Sequence, residues 1–264
     1  MSQQYRQPNN LQARINLHTL YKTNPYNWFN WVFDHFPPIP SARVLELGCG
    51  TGSLWQANLS RLPAGWSVFL SDFSMGMVKE AASQLAGCGK KFLFVQIDAQ
   101  NLPFPDGYFD MVVANHMLYH VPDRERAFIE IHRVLTPGGR LLAATNGENH
   151  MQEIFTLGSK LVPTIRAQSE RNFNPRSFSL ENGLEQLREK FGQTTRYTYE
   201  DSLEVSQARP LVEYILSIIE PGDPNLTPDR IIKFTDYLNG RLARDGSIRI
   251  NKITGLLEAI KTVS

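Results

Sequence analysis

Short apolar runs alternate with helically spaced stretches through the first 150 positions of the chain. Residues 43–47, 67–72, 91–97, 111–115 and 140–145 are brief, dominated by apolar side chains and bounded by turn residues, so they read as buried strands. Between them, residues 53–62, 75–86 and 124–135 place apolar side chains at helical spacing. Asp123 supplies a helix start and Gly87 a helix stop. This alternation predicts an α/β fold: a doubly wound, mostly parallel sheet of seven strands with ligands at its C-terminal edge.

The flanks read differently. Residues 1–10 look like a frayed tail, and residues 11–20 and 26–36 like helices, broken around Thr23-Asn24-Pro25 and stopped by Pro37-Pro38. The second helix carries Trp28, Phe29, Trp31, Val32 and Phe33, and a helix apolar nearly all round needs cover on more than one side. It docks on the core, walls a substrate pocket, or does both. Past 151 the pattern gives helices over 152–168, 180–191, 209–219 and 227–243, and strands over 196–205 and 247–259, the last read as antiparallel. The expected organisation is an N-terminal helical lid (1–40), a ligand-binding α/β domain (41–206 and 246–264) and a helical cap inserted between its last two strands (207–245).

The chemistry concentrates after the first strand. Gly48, Gly50 and Gly52 allow positive φ and close approach of a ligand, and the following helix start points N–H groups into the same space. The turn is therefore suited to a nucleotide-like or carboxylate-bearing cofactor. In the dinucleotide fingerprint G-x-G-x-x-G the third glycine would fall at position 53, which is Ser53; here it comes one residue early, and Glu46 precedes the turn on the strand. Asp72 ends the second strand, where a carboxylate can accept from both hydroxyls of a ribose or cap the next helix; Ser74 is better placed for the cap.

The phrase Val44-Leu45-Glu46-Leu47-Gly48-Cys49-Gly50-Thr51-Gly52 resembles the first motif of the class I S-adenosylmethionine-dependent methyltransferases. Leu102-Pro103-Phe104-Pro105-Asp106-Gly107-Tyr108-Phe109-Asp110 and the stretch around Pro137-Gly138-Gly139-Arg140-Leu141 resemble the subgroup that includes the ubiquinone and menaquinone biosynthetic C-methyltransferases. The resemblance covers residues 43–145. It implies S-adenosylmethionine as cofactor, seated by Glu46, Gly48, Cys49 and Gly50. Asp72 would then hold the ribose, and Phe73 and Met77 would flank the adenine, with ordinary helix packing as the alternative for both. It further implies that Asp98 accepts from the exocyclic amine beside the backbone N–H of Ala99, unless Asp98 only caps a turn, and that the carbonyl of Asn115 takes the ammonium group. The implied reaction is an in-line SN2 methyl transfer to a small-molecule acceptor. Asn115 and Asn146 stand where catechol-type relatives carry magnesium-binding acids, which argues against a metal.

On the acceptor side, His116 and His120 would share a face if their loop were helical. Either could serve as general base for an O–H nucleophile; the alternative is that His120 bonds within the loop and His116 points into the core. Tyr119, Tyr21, Trp28 and His18 are candidate pocket residues. An H-x-x-x-H spacing without further ligands does not make a zinc site. A net charge of +1 provides no field for nucleic acid, and no Asn/Asp-Pro-Pro-Tyr/Phe tetrapeptide follows the fourth strand, which argues against methylation of DNA bases or protein glutamine. Two cysteines make no disulfide framework. The polar N-terminus and the lack of a span-length apolar run point to a cytoplasmic protein without membrane insertion. The rival readings are a protein that binds S-adenosylmethionine without transferring its methyl (a sensor or inactive partner subunit) and an NAD-dependent oxidoreductase, which the glycine spacing disfavours. The oligomeric state and the atom methylated are not legible.

Overall fold

The computed structural model describes residues 8–165 and 178–262. The short apolar runs become strands β1 (Ser41–Leu47), β2 (Gly65–Asp72), β3 (Phe92–Gln96), β4 (Phe109–Asn115) and β5 (Leu135–Asn146). With β6 (Gln193–Val205) and β7 (Ile248–Ile260) they form one seven-stranded sheet in the order β3-β2-β1-β4-β5-β7-β6. The pairs β1–β2, β1–β4, β2–β3 and β4–β5 are parallel, and β5–β7 is antiparallel, as the pattern predicts. The strand order reverses between β1 and β4. In such sheets the crevice beyond the strand ends at that reversal is where ligands bind.

Helices α1 (Pro8–Tyr21) and α2 (Trp28–Asp34) precede the sheet, and α3 (Ser53–Gln56), α4 (Met75–Gln84) and α5 (Arg124–Val134) connect its parallel strands. Helices α6 (Gln152–Leu161), α7 (Gly183–Arg188), α8 (Ala208–Ile218) and α9 (Pro228–Asp245) follow. Positions 1–7 of the expected tail and 166–168 of the expected helix lie outside the described residues.

Two expected elements differ in extent. The helix read over 53–62 stops at Gln56, because the buried Asn58 turns its side-chain amide back onto the carbonyls of Leu54 (2.8 Å) and Phe29 (3.0 Å). Pro137-Gly138-Gly139 does not end the pairing of β5. Phe109 pairs with Leu135 and Met111 with Arg140, so the extra residues bulge out, with Gly138 at φ 76°.

Contacts divide the chain into two units. One comprises residues 26–148, 178–199 and 254–264; its core includes Val44, Trp55, Trp66, Val68, Leu70, Met111, Val113 and Leu142, with Phe33 and Phe36 of the α2 region. The other comprises residues 1–25, 149–177 and 200–253, with Leu17 of α1 packed among Leu157, Leu161, Leu211, Ile215, Phe234 and Leu238. This differs from the expected lid over 1–40 and cap over 207–245. The Thr23-Asn24-Pro25 break separates two helices that serve different cores, and α6 joins α8 and α9 in the second.

Candidate functional site

The glycine turn is built as its residue types require. Gly48, Gly50 and Gly52 all take positive φ, at 69°, 54° and 80°. A Cβ on Gly48 would lie 2.7 Å from Cβ of Met117, so the loop after β4 comes down directly onto the turn. A Cβ on Gly50 would meet nothing within 4 Å. That leaves an open place beside Gly50, where an approaching ligand needs the glycine. The turn closes through Gly52 N donating to the Cys49 carbonyl (2.9 Å) and Cys49 N to the Ser71 carbonyl (2.8 Å).

Asp72 lies at the end of β2, beside the turn. Its Oδ2 accepts from Gly50 N (3.1 Å) and its Oδ1 from Ser74 N (2.8 Å), while Ser74 caps α4 by accepting from Met77 N. The cap therefore belongs to Ser74, and Asp72 is aimed by two backbone donors. Phe73 is 68% exposed and Met77 is also exposed. Asp98 accepts from Gln100 N (2.9 Å) and from the Gln100 side chain on both oxygens, which is the turn-capping arrangement; Ala99 beside it is buried.

Glu46, expected among the residues that seat the cofactor, is a buried side chain of β1. It is 2% exposed, and its Oε2 accepts from Nε1 of Trp55 at 2.6 Å. Burial raises its carboxyl pKa to about 8, opposed by the Trp55 hydrogen bond and aided by the nearby charge of Asp72. Burial likewise pushes the Cys49 thiol up, with Glu46 and Asp72 adding to the effect. Cys49 is packed in the turn.

The loop after β4 is not an α-helix. His116 takes a left-handed φ of 55°, and only Leu118–His120 form a short 3-10 turn. The expected common face for His116 and His120 is therefore absent, because a helix would need negative φ at 116. His116 instead turns its ring to 5.3 Å from Trp28 and 6.4 Å from Tyr119, whose ring is 4.5 Å from that of His120. Trp28 also meets Trp31 and Tyr199 at 5.3 and 5.2 Å. Oδ1 of Asn115 and Nε1 of Trp28 are buried without a hydrogen-bond partner. Such orphaned groups are uncommon in folded proteins and are found where a ligand or water completes them.

The structure thus gathers Gly48, Gly50, Asp72 and Met117 at the turn, and Trp28, His116 and Tyr119 beyond β4. Tyr21 and His18 belong to the other unit. There Tyr21 packs against the α-helical core, and burial and the charge of Lys252 depress the His18 pKa to about 4. Sequence reasoning missed Trp55 and Met117. Nothing in their neighbourhood along the chain marks either one. Among the described residues no three His, Cys, Asp or Glu are grouped to hold a metal, and no helix is long and apolar enough to cross a membrane.

Residues 45–143 match the family model described as a methyltransferase domain. Over 118 residues the chain is 38% identical to the ubiquinone/menaquinone biosynthesis C-methyltransferase UbiE of Vibrio campbellii, an alignment that covers 44% of this chain and 45% of that protein. The chain thus spans less than half the length of the curated relatives it matches. Among solved structures, the YcgJ protein from Bacillus subtilis superposes with a TM-score of 0.57 at 20% identity, over 89% of this chain and 98% of that one. The [4+2]-cyclase SpnF superposes with a TM-score of 0.56 at 21% identity, over 92% and 86%. Both likenesses concern the fold.

Proposed function

We propose that this chain, whose residues 45–143 are a methyltransferase domain of the class I S-adenosylmethionine-dependent type, transfers the cofactor's methyl group to a small-molecule acceptor without a metal. The observation that carries the reading is the open glycine turn with Asp72 bonded to Gly50 N beside it. A Cβ-free position open to a ligand, next to an aimed carboxylate, fits an adenosyl group, and exposed Phe73 and Met77 fit its ring. Gly48, Gly50, Asp72, Phe73, Met77, Ala99 and the carbonyl of Asn115 would hold it, joined by Asp98, whose carboxylate keeps lone pairs beyond those that Gln100 uses. When bound it supplies a sulfonium-activated methyl, open to in-line SN2 displacement.

The chain's own part is alignment and exclusion of water. Near-attack contact at about 3–3.5 Å supplies much of the acceleration in such reactions. Trp28 and Tyr119 would wall the acceptor. His116, held by its left-handed backbone against Trp28, is the better placed candidate to take a proton from an O–H acceptor; the exposed His120 is the second.

The second reading is binding of S-adenosylmethionine without methyl transfer, since a fold alone does not fix an activity. Thermal unfolding with S-adenosylmethionine, S-adenosylhomocysteine and NAD in separate samples tests the cofactor, since a ligand at a hundredfold excess over Kd adds about 2.7 kcal/mol. Stabilisation by the two adenosyl compounds alone is expected, and stabilisation by NAD alone would overturn the reading. Turnover of any acceptor then separates an enzyme from a binding protein.

A further inference from the structure

We propose that Glu46 is a positioning residue that braces the glycine turn through Trp55 and does not touch the cofactor; the inference rests on the cofactor reading above. Glu46 is on β1 and Trp55 on α3, and the whole turn lies between them in the chain. Their hydrogen bond at 2.6 Å therefore ties together the two feet of the loop. Trp55 is 1% exposed and cannot swing away, because the rings of Phe33, Phe36 and Phe92 lie 6.5, 6.1 and 6.1 Å from its own. The backbone of Glu46 is held as well, since its carbonyl accepts from Ser71 Oγ at 2.7 Å.

The other side of the turn is held from β2, through Cys49 N on the Ser71 carbonyl and Gly50 N on Asp72. With both feet fixed, the positive-φ backbone of residues 48–52 is set before a ligand arrives, so less ordering remains for binding to supply. Trp55 occupies Oε2 of Glu46, and with 2% of the residue exposed little of it is left to face a ligand. The groups facing Glu46, Asp72 from β2 and Cys49 from the turn, offer it no cation, and burial favours its neutral form. A neutral acid still accepts from an indole N–H through its carbonyl oxygen. Glutamine can do the same.

Three variants of the full chain test this: Glu46→Gln, Glu46→Leu and Trp55→Phe. Calorimetric titration with S-adenosylhomocysteine is paired with amide hydrogen exchange of residues 50–53 in the absence of ligand. Glu46→Gln should keep the Kd within about threefold of wild type, whereas Glu46→Leu and Trp55→Phe should weaken it about tenfold or more. In those two variants the turn amides should also exchange about tenfold faster. A tenfold loss in Glu46→Gln with unchanged exchange would overturn the proposal, because the charge would then act on the ligand directly. Unchanged affinity and exchange in Trp55→Phe would overturn it too. If the wild-type chain takes no S-adenosylhomocysteine, the cofactor reading fails by itself, and the exchange rates alone decide whether the brace exists.

Discussion

Replacing Gly48 or Gly50 with Ala adds the same methyl to the same turn, and the structure predicts different consequences. Both positions have positive φ, 69° and 54°, where a Cβ costs about 1–2 kcal/mol. At Gly50 that is the whole cost, since nothing lies within 4 Å of the new atom. At Gly48 the new Cβ would sit 2.7 Å from Cβ and 2.9 Å from Cγ of Met117. The first of these is anchored to backbone, so the loop after β4 must move. Overpacking of this kind adds about 1–3 kcal/mol, giving about 2–5 kcal/mol for Gly48→Ala. Urea unfolding at neutral pH, followed by tryptophan fluorescence, measures both. Affinity for S-adenosylhomocysteine should order them the other way once stability is allowed for: Gly50→Ala binds more weakly than its small stability loss explains, because its methyl enters the space assigned to ligand. Equal or greater destabilisation by Gly50→Ala would refute the close approach of Met117 on which the reasoning rests.

Further outcomes follow from the same geometry. Glu46 holds its proton to about pH 8 when folded, against an ordinary 4.5, so its contribution is fully present below pH 4.5 and is lost as pH rises through 8. At 1.36 kcal/mol per unit this amounts to about 2 kcal/mol between pH 6.5 and 8.5, a slope that Glu46→Gln should abolish in urea midpoints taken across that range. His18 acts outside that range: its folded pKa of about 4 lies below the ordinary 6.5, so its contribution is present above pH 6.5 and lost as pH falls through 4. Arg133 bonds Glu130, Asp106 and the carbonyls of Leu102 and Phe104. Arg133→Ala leaves the buried Glu130 with the Leu102 N–H and Arg126 alone, and should cost about 1.5–3 kcal/mol by denaturant titration. His116→Asn keeps a residue that tolerates left-handed φ, so the melting temperature should hold. Methyl transfer to an O–H acceptor should nevertheless fall about 10²–10⁴-fold if the imidazole is the base.

The middle of the sheet was legible because β1, β4 and β5 are buried over most of their length and read as plain apolar runs, and the turn because glycine accepts the backbone it needs. Ser74 could be read as the cap of α4 from local chemistry alone. What escaped the sequence depended on partners far along the chain or on side chains overriding a local pattern. Glu46 looks like a ligand-facing acid until Trp55, nine positions on, is seen to close over it. The pattern over 53–62 is helical in composition, but Asn58 diverts its amide to two carbonyls and stops α3. The paired histidines suggested a helix that the left-handed His116 forbids. The division into two units followed long-range packing, with Leu17 and Phe33 sorted into different cores despite lying in adjacent helices.

The central claim is that the glycine turn and Asp72 form an adenosyl site. Calorimetric titration of the wild-type chain and of Asp72→Ala with S-adenosylhomocysteine tests it most directly. Wild type should bind at one site, and Asp72→Ala should bind about 10–100-fold more weakly, the equivalent of about 1.5–3 kcal/mol for a hydrogen bond to a charged group. No binding to wild type, or identical binding to both chains, would contradict it.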